Sequence, residues 1–325
     1  MGITREQALD CFRSDDLVGI GMEADAVRRR LHPEGVVSYI IDRGIDCTAL
    51  AGTAGETAGA LLDSVCGEIG ETVEMGGTGV RLAGGAGGAG RGGSSGIEWL
   101  EELLRGIRRR FPSIWIEGMA AREVAALARS CGSGLSGSGL SETIARLRAA
   151  GLDSIAGDGA VVSDERGVQE WIGVHRAAHG LGMRTTAAMI FGAGIGAGAG
   201  ETIEQRVDFL EAVRRLQEET GGFAAFVPVA AEAPGGRELD GVTAVERLKV
   251  LAISRMFLDN IENVQTIGAA QGLKVLQMGL RFGANDAGPV PAESGGREED
   301  VRRIIRDAGF IPVQRDMVYR TMMLN

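Results

Sequence analysis

Short apolar or β-branched runs recur at Val36–Ile41, Gly79–Ala83, Ser113–Gly118, Asp153–Ile155, Arg184–Phe191, Phe223–Pro228, Asn263–Ile267 and Gly279–Gly283. Between many of them, apolar residues return at three- and four-residue spacing, over Ile97–Phe111, Ala120–Ser130, Ser141–Ala150, Gly167–Leu181, Thr202–Thr220 and Thr243–Asp259. The first pattern marks strands and the second marks helices with one buried face, so the alternation predicts parallel βαβ units. Eight strands in that arrangement predict an α/β fold of the TIM type, a (β/α)8 barrel.

The ends of these segments carry matching signals. Thr243-Ala244-Val245-Glu246 is a capping box, in which the glutamate reaches back to the cap amide. Gly151 and the pair Gly221-Gly222 follow two of the helical stretches as stops, because glycine accepts the left-handed turn that ends a helix. Thr4–Asp16 and Met22–Leu31 predict helices ahead of the barrel, and Arg297–Ala308 predicts one after it. The expected organisation is one domain over 1–325, with N-terminal helices in 1–35, the barrel in 36–290 and a C-terminal extension in 291–325.

Composition narrows the function classes. The 325 residues are 44% apolar, enough to fill a core of barrel size. A net charge of −10 with arginines scattered over helix faces argues against nucleic acid, whose binders concentrate positive charge on one side. No window is apolar enough for a membrane span, and the polar start Met1–Asp16 has no secretory h-region, so a cytoplasmic protein with no membrane contact is expected. A small molecule is the expected partner, and homodimerisation is left open.

The four cysteines, Cys11, Cys47, Cys66 and Cys131, show no metal-ligand spacing and read as reduced thiols, so no metal is expected. Glycine, at 52 residues, concentrates in 76–96, 132–139 and 192–200, which reads as loops. Gly194-Ile195-Gly196-Ala197-Gly198 is a fragment of a dinucleotide fingerprint without its acidic partner. His175 and His179 sit one helical turn apart, a spacing that can bind metal, and read as a solvated helix face.

The stretch Asp42–Ala60 that follows the first apolar run resembles the cluster loop of radical S-adenosylmethionine (SAM) enzymes. Ala24–Arg28, His32–Gly35, Arg146–Ile155, Thr220–Phe223, Leu251–Asn260, Gln271–Lys274, Leu280–Asp286 and Asp307–Asp316 extend that resemblance over nearly the whole chain. It is to dehypoxanthine futalosine cyclase and its deazaflavin-pathway relatives. In that family the loop reads C-x3-C-x2-C and holds a 4Fe-4S cluster. The matching positions here are Ala51, Gly55 and Ala58, and no thiolate stands at any of them to hold iron. The resemblance therefore implies a barrel with no 4Fe-4S cluster and no reductive cleavage of SAM.

It also implies where a site would lie, at the C-terminal ends of the strands. Leu82-Ala83-Gly84-Gly85 matches the family's glycine-rich segment, which holds the SAM amino group through backbone carbonyls. Ala83, Gly84 and Gly85, with Tyr39 and Glu56, are the expected SAM contacts, although an ordinary glycine turn would read the same way. Glu117-Gly118-Met119-Ala120 stands where the family has a histidine, Pro228–Ala233 has lost the family's aromatics, and Glu56 replaces a lysine. Smaller side chains and the carboxylates Glu56, Glu117 and Glu232 make a roomier, more negative pocket. Such a pocket suits a sulfonium, whose polar alkyl transfer needs alignment and a base but no electron source. Solvated loop positions are the plain alternative for each carboxylate.

At the end of the expected eighth strand, the resemblance makes Asp286 an acid/base and Asn285 its hydrogen-bonding neighbour. It makes Gln265 a substrate contact, and Arg281 either a substrate contact or a barrel-layer residue paired inside. Three functions are compatible: a cluster-less enzyme using SAM as a co-substrate in polar chemistry, a catalytically silent barrel binding a nucleoside-like ligand or a partner, and a SAM-independent lyase or isomerase built on Asp286 and Glu232.

Overall fold

Two parallel sheets curve into one barrel in the structure, a computed structural model that describes residues 2–47, 58–84, 96–157, 159–192, 200–233, 237–238, 242–266, 272–291 and 297–322. The first sheet runs β11 (Asp286–Pro291), β1 (Val36–Asp46), β2 (Gly79–Ala83), β3 (Trp115–Gly118), β4 (Ser154–Ile155). The second runs β10 (Asn263–Val264), β7 (Phe223–Ala230), β6 (Thr185–Phe191), β5 (Ala160–Val161), and β8 (Glu232–Ala233) and β9 (Arg237–Glu238) form a separate antiparallel pair. On one side they join where Gln265 bridges Asp286 and the Thr266 amide donates to the Asp286 carbonyl at 2.9 Å. On the other, the Ser154 hydroxyl donates to the Arg184 carbonyl at 2.7 Å.

Helices cover the outside: α3 (Ala58–Glu74), α4 (Gly96–Arg110), α5 (Ala121–Ser130), α6 (Gly137–Ala150), α7 (Glu165–Gly180), α8 (Ile203–Thr220), α9 (Ala244–Phe257) and α10 (Leu273–Arg281). Ahead of the barrel lie α1 (Arg5–Arg13), with a complete Thr4–Gln7 capping box, and α2 (Leu17–Leu31), started by the Asp16 carboxylate on the Gly19 amide. α2 packs on α9, and Gly21 lets it approach closely, since a Cβ there would sit 2.7 Å from the Phe282 ring. Helix α11 (Arg297–Asp307) follows the barrel.

One expected strand is corrected. Gly279–Gly283 is the end of α10, not a strand. Leu276 and Leu280, four residues apart, are its buried stripe, and Gly283 at φ +101° ends it. The eighth strand is instead Asp286-Ala287-Gly288-Pro289-Val290-Pro291. Its two prolines and single β-branched residue hide it from a propensity reading. Gly288, at φ +81°, lies where the β1–β11 register slips between Ser38 and Ile40.

A strand absent from the pattern reading completes the floor. β12 (Ile311–Gln314) pairs in parallel with β1 over Val36–Tyr39, while β2 pairs with β1 over Asp42–Asp46. β11 pairs with β1 over Ser38–Asp42, overlapping both, so it must occupy the opposite edge. β12 and β2 therefore share one edge of β1, with β12 at the N-terminal end of the barrel.

Candidate functional site

Alternation along β1 sends Ser38, Ile40, Asp42 and Gly44 inward and Tyr39, Ile41 and Arg43 outward. The inward set helps to enclose a cavity of about 400 Å³ inside the barrel, a size that accommodates a small ligand. Its apolar wall includes Ile40, Leu82, Val227, Val229 and Met317. Its polar groups include Asp42, Arg81, Glu117, Gln265, Arg315 and Tyr319.

The charges are organised in two ion pairs. Asp42 receives Arg81 through both its oxygens, Nε to Oδ2 at 2.9 Å and Nη2 to Oδ1 at 3.3 Å. Burial works against the Arg81 guanidinium's charge, but Asp42 and then Glu117 outweigh it and hold the pKa above its ordinary value. The Arg81 side chain keeps 44% of its surface accessible while Asp42 keeps 5%, so the guanidinium is the member of the pair that can meet a ligand. Glu117 is buried at the end of β3 and lines the same cavity.

The second pair lies deeper. Asp286 and Arg315 have side-chain exposures of 0% and 4%, with Arg315 Nε on Oδ2 at 2.5 Å and Nη2 on Oδ1 at 3.0 Å. The Ser38 hydroxyl donates to Oδ2 at 2.5 Å and the Gly288 amide to Oδ1 at 2.9 Å. Arg315 Nη2 also donates to Gln265 Oε1 at 3.2 Å, and the Tyr319 hydroxyl donates to the same oxygen at 2.9 Å. Burial opposes ionisation of Arg315, but Asp286 raises its pKa above the ordinary value; burial also raises the Tyr319 phenol.

These placements sort the residues named from sequence. Ala83, Glu117 and Gln265 line the cavity, and Gly84 follows Ala83 at φ +76°. Glu56 and Gly85 lie outside the described residues, as do Ala51 and Gly55; Glu232 is described only through its backbone, paired antiparallel with Glu238.

Four assignments are corrected. Tyr39 points away from the cavity: its hydroxyl donates to Glu298 and accepts from Arg302, both at 2.7 Å, and burial first and Glu298 second push its pKa up to about 12. Asn285 is spent on structure, its Oδ1 accepting from Arg255 at 2.7 Å and from the Val264 amide at 2.9 Å, and its amide donating to Asn263 at 2.9 Å. Arg281 lies at the end of α10 with its guanidinium 4.8 Å over the Phe310 ring, so it is neither a cavity contact nor the partner of Asp286. Asp286 does not line the cavity, and its four hydrogen bonds occupy both oxygens, which places it in the barrel wall behind the cavity rather than at its surface.

The histidine pair is also corrected. His175 and His179 are buried, not solvated, with the Thr185 hydroxyl 2.8 Å from a ring nitrogen of each and the Thr220 hydroxyl 2.7 Å from His179 Nδ1. Burial lowers both pKa values, His179 to about 4. Cys47, buried at the end of β1, is pushed up to about 12, chiefly by burial, which makes it a poor thiolate. Among the described residues, no three His, Cys, Asp or Glu side chains are grouped to hold a metal ion.

Sequence reasoning missed Asp42, Arg81, Arg315 and Tyr319. Charged residues within core strands were the available signal for the first two, because a buried strand tolerates a charge only with a partner.

Comparison with known proteins agrees with this fold. The profile of the CofH/MqnC C-terminal region matches residues 220–324. A cyclic dehypoxanthine futalosine synthase of Streptomyces coelicolor is 34% identical over 361 aligned positions, which cover 99% of this chain and 86% of that protein. Among solved structures, HydG, a maturase of the FeFe hydrogenase, superposes with a TM-score of 0.65 at 13% identity over 96% of this chain and 72% of its own. Methylornithine synthase, PylB, superposes with a TM-score of 0.62 at 13% identity over 96% of this chain and 94% of its own. At such identities the two structures speak to the barrel alone. No described helix is long and apolar enough to cross a membrane.

Proposed function

The chain belongs to the cyclic dehypoxanthine futalosine synthase family of the radical SAM superfamily, and from that premise we propose an enzyme that binds SAM in the barrel cavity and uses it in polar chemistry. The carrying observation is the charge of the cavity and its immediate support: the carboxylates Asp42, Glu117 and Asp286 stand against the two guanidiniums of Arg81 and Arg315. One net negative charge in a partly desolvated chamber favours a cationic ligand. Ala51, Gly55 and Ala58 carry no donor atom, so these residues do not fit a 4Fe-4S cluster, and the reaction proposed does not use one.

SAM, when bound, supplies an alkyl sulfonium, whose electrophilic carbon passes to the acceptor nucleophile as its C–S bond breaks and the remainder leaves as a neutral thioether, with no added electron. The protein's part is positioning and proton management. Ala83 and Gly84 at the end of β2, with Gly85, are the segment to receive the ammonium of the amino acid moiety. The Arg81 guanidinium, held from behind by Asp42, takes up the carboxylate of that moiety or of the acceptor. Glu117 removes the proton that the acceptor loses as it is alkylated. Methyl transfer, 3-amino-3-carboxypropyl transfer and cyclisation of the amino acid moiety all meet these requirements.

Calorimetric titration of the full chain with SAM and S-adenosylhomocysteine tests the reading, with SAM expected to bind more tightly. Glu117→Gln should weaken SAM by about 1–3 kcal/mol and leave the thioether nearly unaffected. Equal affinity for the two ligands removes the electrostatic argument. Binding of neither ligand, or about four irons per chain after anaerobic reconstitution, overturns the proposal.

A further inference from the structure

The segment after β12 folds back on itself. The Met322 amide donates to the Gln314 carbonyl at 2.7 Å, Arg315 bridges Thr321 in antiparallel fashion, and the Asp316 amide donates to the Arg320 carbonyl at 2.9 Å. Asp316 Oδ1 closes the turn by accepting from the Val318 and Arg320 amides, both at 2.9 Å. The product is a hairpin over 314–322. β12 leads it along the edge of β1 that β2 occupies further on, so the tip enters the barrel from its N-terminal end.

Two tip residues, Met317 and Tyr319, line the ligand cavity. The barrel is shaped to receive them. A Cβ on Gly79, the first residue of β2, would lie 2.2 Å from Met317 Cγ and 2.9 Å from its sulfur, so Met317 fills the space a side chain would need. Tyr319 has φ +64°, a left-handed backbone that costs a tyrosine energy. Several contacts hold it there: the Arg315 guanidinium stacks 3.7 Å from its ring centroid, and its hydroxyl donates to Gln265 at 2.9 Å. Strain retained at a cavity wall by surrounding contacts points to a role at that wall.

From this geometry we infer that the C-terminal hairpin is the floor of the ligand cavity, and that Met317 and Tyr319 are specificity-determining residues that set its depth and select a flat, hydrogen-bond-accepting ring. Depth follows from Met317, which stands where the cavity would otherwise continue along Gly79. Ring selection follows from Tyr319 and Arg315, which both donate to Gln265 Oε1. Gln265 can then meet a ligand only as a donor, through its amide nitrogen. With Val227 and Val229 on the apolar wall, the floor suits a heteroaromatic ring of nucleobase type. The inference rests on the reading that SAM, whose adenine is such a ring, occupies this cavity.

Calorimetry with SAM and with adenosine, on the full-length parent and on Met317→Trp and Tyr319→Phe, supplies the main test. Met317→Trp fills the floor and should weaken both ligands by about tenfold or more. Tyr319→Phe loses one of the two donors that fix Gln265 and should weaken both by about five- to tenfold. Parental affinity in Met317→Trp overturns the inference. A second readout needs no ligand and stands even where the parent binds neither probe, which is the outcome that sinks the proposed function. In Met317→Cys, the introduced thiol should react readily with methyl methanethiosulfonate and resist a bulky maleimide, as mapped by mass spectrometry. Equal rates with the two reagents, or no reaction with either, show that position 317 does not line a confined cavity.

Discussion

Replacing Asp286 by asparagine separates a structural anion from a catalytic one. Asp286 is fully buried and its partner Arg315 almost so. The pair is bidentate, and the remaining acceptor capacity of the carboxylate is met by Ser38 and the Gly288 amide. Asp286→Asn keeps the shape but removes the charge, leaving a buried guanidinium with no carboxylate and forcing an amide group toward one of its donors. Loss of one partner of a buried pair costs about 3–5 kcal/mol. For a chain of this size that lowers the melting temperature by roughly 4–7 °C. The assay is thermal and urea unfolding of the parent, Asp286→Asn, Arg315→Met and Asp286→Leu/Arg315→Met. Each single variant should lose most of the expected stability, and the double variant should recover part of it, because apolar replacement of a whole buried pair is often neutral. A melting temperature within about 1 °C of the parent for Asp286→Asn, or additive losses in the double variant, would refute the structural assignment and return Asp286 to the list of acids and bases.

Two further expectations follow from burial. Burial disfavours the charged forms of His175 and His179 and holds both pKa values below their ordinary value, so protons bind preferentially to the unfolded chain. Stability should therefore fall as pH drops from about 6.5 toward 4, by roughly 3 kcal/mol for His179 alone. Urea unfolding at pH 4.5, 5.5 and 6.5 checks this against His179→Gln, and parallel pH profiles for the two proteins would show that the histidine is not the cause. Asn285→Ala and Tyr39→Phe should lower stability by about 1–3 kcal/mol and about 1 kcal/mol respectively while leaving SAM affinity within twofold; a tenfold loss of affinity in either variant would restore that residue to the ligand site.

The barrel was legible because its strands alternate with helices whose stripes repeat at helical spacing, a pattern set by burial rather than by any particular residue. Val36, Gly79, Thr185, Phe223 and Asn263 begin or lie beside the start of runs that read correctly. The eighth strand did not, for a local reason. Asp286-Ala287-Gly288-Pro289-Val290-Pro291 has the composition of a turn, and it forms a strand only because β1 and the Gln265 bridge supply its partners. Leu280, Arg281 and Phe282, with the right local character, close a helix instead.

The site divided along a similar line. Glu117 and Gln265 could be named from sequence because each ends a recognisable strand, where barrel geometry turns side chains toward the cavity. Tyr39 belongs to a strand just as clearly, yet a one-residue change of parity sends it to α11. Arg315, Met317 and Tyr319 had no such frame. They follow the last predicted helix, in a segment whose strand is four residues long and whose hairpin is defined by contacts with β1 and β2. Their importance is topological: the barrel's N-terminal end is filled by the far end of the chain. A buried Asp286 at the end of the barrel sequence and an Arg315 twenty-nine positions later therefore act as one unit, the anion fixing the hairpin and the hairpin fixing Gln265. The shape of the cavity wall and the stability of the barrel's closure are coupled through that ion pair, and a substitution that loosens the closure should disturb the cavity floor with it.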